Sequence, residues 1–269
     1  MSLRINNNTE ALNAHRQLMQ TSGRVSKAME KLSSGYRINH ASDDAAGLGI
    51  SEKMRGQIRG LGQAQRNIQD GVSLVQTAEG SLDEVHSMLQ RVRELAVQFK
   101  SGSMSAANQA AIQTEVNQLA SEIERIGASA QFNGVSVLSG ASTITFQVGA
   151  NDGEEISIAT ISLGAAVGSA PFSLAVGGTT DLTEIDTAID AVSAARSSFG
   201  AVQNRLEHTL AVSAAAQENL VAAESRIRDV DMAEEMTQLT KEQILTQAGT
   251  AMLAQANQAP NSVLSLLKG

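Results

Sequence analysis

A chain of 269 residues with no cysteine, no tryptophan, one tyrosine and five phenylalanines can form neither disulfides nor thiolate metal sites. It also lacks the aromatic bulk that usually fills a thick core. Its net charge of −8 argues against general nucleic-acid binding, and no apolar run approaches the ~20 residues that span a bilayer. Alanine, leucine, isoleucine and valine must do the packing, which favours thin helical assemblies.

Residues 1–35 read as a helix. Ala11, Leu18, Val25 and Leu32 sit seven apart, Asn6–Thr9 supplies N-cap candidates, and Ser33-Ser34-Gly35 is a stop. Residues 36–56 are turn-rich and read as a connector with one short helix near Ile50–Arg59. The longest pattern follows. Leu61, Ile68, Val75, Leu82, Leu89 and Ala96 form one heptad row, and Ala64, Gly71, Ala78, Val85, Val92 and Phe99 form a second, three places later. Met88 and Leu95 fall at position g, where they either pack a third helix or face a partner.

A third helix shows Ile112, Val116, Leu119, Ile123 and Ile126 at spacings of four and three, with Gly127 as its stop. The period then changes to two. Ile144, Phe146 and Val148 alternate with polar residues, Asn151-Asp152-Gly153 marks a hairpin turn, and Ile156 and Ile158 alternate on the return. Val135 and Val137 suggest a third short strand, and residues 162–182 read as a loop. From Leu182 a second heptad helix carries Ile185, Val192, Phe199, Leu206, Ser213, Leu220 and Ile227. A last helix runs from Met232 to Gln258, ahead of Pro260. Its apolar residues lie on several faces, including Met236, Ile244, Ala248 and Met252. Such a helix fits a membrane surface, an intrachain seam or a seam buried between subunits, and its all-round apolarity favours the last.

The fold class is therefore mainly α: an elongated antiparallel helical bundle or coiled coil with a small β-hairpin region. Charge supports pairing of its ends. Residues 1–42 carry six Lys/Arg and two Asp/Glu; residues 229–269 carry two and five. Chemistry is not indicated. None of His15, His40, His86 and His208 has metal-ligand spacing, and Gly47-Leu48-Gly49 lacks the lysine of a phosphate loop. Asp43-Asp44 beside His40 reads as turn and cap residues. No enzyme activity and no cofactor are expected.

Several stretches closely resemble bacterial flagellin. They include Leu-Arg-Ile-Asn-Asn-Asn (3–8), Lys-Leu-Ser-Ser-Gly-Tyr-Arg-Ile-Asn (31–39), Ala-Ser-Asp-Asp-Ala-Ala-Gly-Leu-Gly-Ile-Ser (41–51) and Arg-Asn-Ile-Gln-Asp-Gly (66–71). Gln-Phe-Asn-Gly (131–134), Gln-Val-Gly-Ala-Asn (147–151), Glu-Ser-Arg-Ile-Arg-Asp-Val-Asp (224–231), Gln-Ala-Asn-Gln (255–258) and Ser-Val-Leu-Ser-Leu-Leu (262–267) continue the series in order. The resemblance implies paired terminal helices at 1–42 and 229–269, forming a filament inner core. It implies a helical outer core at 43–134 and 184–228, and a hairpin with a shortened variable region at 135–183.

The family implies a helical homopolymer that serves swimming motility, extracellular in the bacterial flagellum and exported without a cleaved signal peptide. Implied partners are further copies of the chain, an export chaperone, hook-associated and cap proteins, and the host Toll-like receptor for flagellin. Neither nucleic acid nor membrane insertion is implied. Resemblance places receptor contact at Gln90, Arg91, Leu95, Gln98 and Glu115, with Arg91 and Leu95 sharing an exposed strip. Inner-core packing falls to Leu18, Val25, Leu32, Ile244, Ala248 and Met252, and to Leu264, Leu266 and Leu267, which match leucines sensed by a cytosolic inflammasome. A hook–filament junction protein, which shares the terminal helices but caps the polymer, is the alternative. The uninterrupted 41–51 and 224–231 matches favour flagellin.

Overall fold

The computed structural model describes residues 8–140, 142–167, 174 and 181–268, with side chains at all of these except 165, 166 and 259–268. Along the chain run helix α1 (Thr9–Ser34), α2 (Ala45–Phe99) and α3 (Ala106–Ser129). Strands β1 (Gln131–Phe132), β2 (Val135–Ser136), β3 (Thr143–Gln147) and β4 (Glu155–Ala159) follow. Then come α4 (Leu163–Val167), α5 (Asp181–Arg228) and α6 (Met232–Lys268). Two compact units result: Met1–Gly56 with Leu220–Gly269, and Gln57–Asn219. The boundaries expected at 42/43 and 228/229 both fall inside the first.

The second unit is built on the two heptad rows. Every a and d residue of α2 from Ala64 to Phe99 is buried, as are Ile185, Ala188, Val192, Ala195, Phe199, Leu206 and Ser213 of α5. The helices run antiparallel. Lys100 meets Asp181 at 3.7 Å, Arg93 meets Asp186 at 2.6 Å, Asp83 meets Arg196 at 2.9 Å, and Gln65 donates to Gln217 at 2.8 Å. Helix α3 adds Ile112, Val116 and Ile123 to the same core. A helix flanked by two partners needs a stripe wider than a/d alone. Position g of α2 supplies it: Leu74 and Leu95 are buried and Met88 is half-buried.

Strands β3 and β4 pair antiparallel from Thr143 with Ala159 to Gln147 with Glu155. Gly153 turns at φ 84°, as the Asn-Asp-Gly turn requires. The hairpin lies on α2, where Asn67 Nδ2 donates to the Gln147 carbonyl at 3.1 Å. Val135 does not extend this sheet. It belongs to a separate two-stranded pair, β1 with β2, closed by Asn133 (φ 51°) and Gly134 (φ 78°). Two consecutive left-handed residues are the signature of a tight hairpin turn. Val137 lies just past β2, fully buried, its N–H donating to the Ala130 carbonyl at 3.1 Å.

Other expectations are corrected. Helix α3 continues past Gly127, which is buried against Leu163, where a Cβ would lie 3.2 Å from that of Leu163. Within the stretch read as a loop, 163–167 is helical and Leu174 is buried, its N–H donating to Gln113 Oε1 at 2.9 Å; the loop expectation at 168–173 and 175–180 lies outside the described residues. Helix α2 starts at Ala45, far earlier than Leu61, and no separate short helix exists at 50–59. Asp44 caps it, accepting from Gly47 N at 2.9 Å. The heptad signal is weak there because Gly47, Ile50, Met54 and Gln57 occupy the a and d positions, Gly47 and Gln57 are not apolar, and Ile50 is 54% exposed. Helix α6 continues through Pro260 to Lys268.

In the first unit, α1 packs on α6. Asn8 caps α1 by accepting from Ala11 N at 3.0 Å, and Gly35, at φ 74°, closes it by donating to the Lys31 carbonyl at 2.9 Å. Asp231 caps α6, accepting from Ala233 N at 2.9 Å and Glu234 N at 3.2 Å.

The α2–α5 seam yields a direct test. Leu82→Ala and Leu206→Ala each remove a side chain buried to within 1% and are expected to cost about 2–5 kcal/mol through the void left behind. Arg66→Ala, on an exposed residue bonded only locally to Gln63, is expected to cost under about 0.5 kcal/mol. Thermal melting followed by circular dichroism measures all three; equal losses would show that the register is misassigned.

Candidate functional site

The terminal pair α1–α6 is the first candidate. Its contacts define an antiparallel register. Asn8 Nδ2 donates to the Ala256 carbonyl at 2.8 Å, and Arg24 Nε lies 3.2 Å from Glu242 Oε2. Lys31 Nζ lies 3.8 Å from Glu235 Oε2, and Val230 N donates to the Gly35 carbonyl at 3.0 Å. The opposite charges of the two ends thus meet at two pairs, Arg24 with Glu242 and Lys31 with Glu235. Leu18 packs over Gly249, where a Cβ would lie 3.3 Å from Leu18 Cδ1.

Burial divides the expected packing residues into two sets. Leu18, Val25 and Leu32 are half-buried, whereas Ile244 (60%), Ala248 and Met252 (65%) are exposed. Leu264, Leu266 and Leu267 lie outside the residues with described side chains. Further apolar side chains stand uncovered with Ile244 and Met252: Leu12 (67%), Met19 (64%) and Met29 on α1, and Met236 on α6. Leu12 and Met19, seven apart, share one side of α1, whereas Met236, Ile244 and Met252, eight apart, step about 80° each time and spread around the half of α6 turned away from α1.

A clasp closes this unit beside the pair. Arg228 ends α5 with its guanidinium 4.7 Å from the centroid of the Tyr36 ring. Its Nη1 donates to Glu52 Oε1 at 2.6 Å. Arg37 N donates to the Arg228 carbonyl at 2.7 Å, and its guanidinium donates to that of Ile227. Ser51, fully buried, donates to Glu224 at 3.1 Å. These contacts tie the turn after α1 to the start of α2 and the end of α5. Tyr36 and Arg228 both lie within motifs shared with flagellin, but no pattern along the chain pairs two residues 192 positions apart.

The second candidate is the Arg91 surface. Arg91 donates to Glu115 Oε1 from Nη2 at 3.0 Å and from Nε at 3.2 Å, and to Glu94 Oε2 at 3.2 Å. Glu115 first, then Glu94, raise its pKa above the ordinary guanidinium value. Gln90 and Gln98 are exposed nearby in sequence. Leu95 corrects the expected strip. It is 2% exposed and belongs to the core with Ile112 and Val116, because position g of α2 is needed to cover α3.

A mainly helical fold built on coiled-coil seams, with an uncovered apolar terminal face, defines a structural rather than a catalytic class of protein. Residues 5–143 match the family described as Bacterial flagellin N-terminal helical region, and residues 182–267 match Bacterial flagellin C-terminal helical region. Flagellin of Halalkalibacterium halodurans is 56% identical, covering 98% of this chain and 99% of that protein. Flagellin of Bacillus subtilis is 47% identical over 99% and 100%. The crystal structure of Bacillus cereus flagellin is similar with a TM-score of 0.51 and 31% identity, covering 54% of this chain and 87% of that one. The chain belongs to the bacterial flagellin family, whose members are structural proteins and not enzymes.

The clasp carries a pH dependence. Arg228, chiefly through its hydrogen bond, holds the Glu52 carboxyl below its ordinary value of 4.5. A depressed folded-state pKa stabilises above the unfolded value, and that stabilisation is lost as pH falls through the folded one. The melting temperature is therefore expected to drop on acidification from about pH 5 to about pH 3, and to drop less steeply in Glu52→Gln. Identical slopes in the two proteins would remove the clasp from the account of acid stability.

Proposed function

We propose that this chain is the subunit that polymerises into the bacterial flagellar filament, outside the cell, for swimming motility. The observation that supports it most is the set of uncovered apolar side chains on the terminal pair: Leu12, Met19, Met236, Ile244 and Met252. Water-exposed apolar side chains at helical spacing gain free energy when another surface covers them, at about 25 cal/mol per Å². A second copy of the same pair is the occupant, and a surface that joins a different surface on its neighbour extends without closing, as a helical array does. Membership of the flagellin family supports the same reading. The implied contacts with an export chaperone, hook-associated proteins and a cap protein belong to this reading. A capping junction protein would use the same helices without elongating.

Growth from purified seeds, watched by electron microscopy, separates these. Ile244→Glu and Met252→Glu are expected to leave the helical signal intact and to reduce filament length by more than about tenfold, because each charge would have to be buried. Deleting 229–269 is expected to stop growth while the Gln57–Asn219 unit stays helical. Filaments of normal length from these variants would sink the polymer reading, and wild-type chain that caps seeds without elongating would favour the junction protein.

A second reading, receptor ligand, is supported by the resemblance at Gln90, Arg91, Gln98 and Glu115 and by their exposure. Leu95 would contribute by supporting α2 from beneath. Arg91→Ala monomers, with unchanged circular dichroism, are expected to signal at least about tenfold less in cells bearing the flagellin-sensing Toll-like receptor, as loss of an Arg hot spot does. Unchanged signalling would remove the site.

A further inference from the structure

The α1–α6 contact is lined by small and half-buried residues, yet it contains a carboxylate. Glu242 is 3% exposed. Its Oε1 accepts from Gln238 Nε2 at 3.1 Å, and its Oε2, without a hydrogen bond, lies 3.2 Å from Arg24 Nε. Arg24 in turn donates from Nη2 to Thr21 Oγ1 at 3.2 Å, and Thr21 is 2% exposed. A charge buried between helices that otherwise pair through generic apolar residues is an expensive feature. Its best-attested use in paired helices is to penalise every alignment but one.

We infer that Arg24 and Glu242 set the register in which the two ends of the chain pair. Seven-residue repeats alone leave that register open, since an apolar row that slides by one heptad meets an apolar row again. The charges penalise the slide, because only the observed alignment holds both Arg24 with Glu242 and Lys31 with Glu235. Moved one heptad in one direction, Arg24 faces Gly249, Glu235 loses its cation, and Lys31 alone reaches Glu242. Moved the other way, Arg24 meets Glu235 and the buried Glu242 faces Gln17. The hollow at Gly249 that receives Leu18 reinforces the same alignment by shape. Each slip displaces the helices by about 10 Å, which would shift every apolar side chain on the uncovered face relative to its counterpart on the other helix.

The absence of cysteine makes the test clean. Nitroxide labels are placed at Gln20→Cys and Gln247→Cys, both exposed, and the distance between them is measured by pulsed electron resonance in seeded filaments diluted with unlabelled chain. Wild type is expected to show one narrow distance. Arg24→Ala should broaden it or add a population shifted by about 10 Å and slow growth at least about tenfold, because the buried Glu242 carboxylate loses the half-exposed cation beside it. The exchanged pair Arg24→Glu with Glu242→Arg, and the neutral pair Arg24→Leu with Glu242→Leu, separate the roles. The exchanged pair should restore both distance and growth. The neutral pair should restore helicity while keeping the mixed distances. A single wild-type distance in Arg24→Ala, or in the neutral pair, overturns the inference. If wild type itself fails to elongate, the polymer reading fails, and the same label distances in the soluble chain still decide the register.

Discussion

The structure depends first on the antiparallel seam between α2 and α5 in the Gln57–Asn219 unit. A heptad helix leaves one apolar stripe unsatisfied, and a partner with the same period, running the opposite way, satisfies it along its length. Each leucine, valine or isoleucine taken out of water there contributes about 1.5–3 kcal/mol, so a core almost without aromatics still suffices. The ion pairs along its edges, such as Arg93 with Asp186 and Arg196 with Asp83, are exposed and add little beyond register. Helix α3 and the β3–β4 hairpin then need only lie against what the seam provides.

The terminal unit is held differently. Apart from Ala28, Ile38 and Leu239, its buried residues are polar or small: Thr21, Ser51 and Glu242. Its order comes from caps, the Tyr36–Arg228–Glu52 clasp and charge pairs, which are directional. Several of its large apolar side chains, among them Leu12, Met19, Ile244 and Met252, stand uncovered. A unit held mainly by directional polar contacts that leaves many large apolar side chains uncovered is suited to completing its packing through other molecules, and that physical division motivates the polymer reading.

The sequence by itself determined a great deal here, wherever one physical signal dominated. Unbroken heptads located α2 from Leu61 on and α5, strict alternation located β3 and β4, and the cap candidates Asn6–Thr9 and the stop Ser33-Ser34-Gly35 marked the ends of α1. Together with the ordered motifs they were enough to assign the family. What failed shares a cause. The first turns of α2 carry Gly47 and Gln57 among their heptad positions, so their helicity, set by the Asp44 cap, left only a broken apolar trace. Gly127 reads as a stop by composition, but the nearness of Leu163 makes it a packing residue. Asn133-Gly134 closes a hairpin too short for alternation to show. Only the tertiary structure decided which face of α2 meets a second neighbour, and so that Leu95 is buried while Arg91 beside it is free to pair with Glu115. Only it brought Arg24 to Glu242 and Arg228 to Tyr36. A one-dimensional pattern records which residues share a face of one helix. It does not record how many partners that helix has, nor which residue two hundred positions away stands opposite.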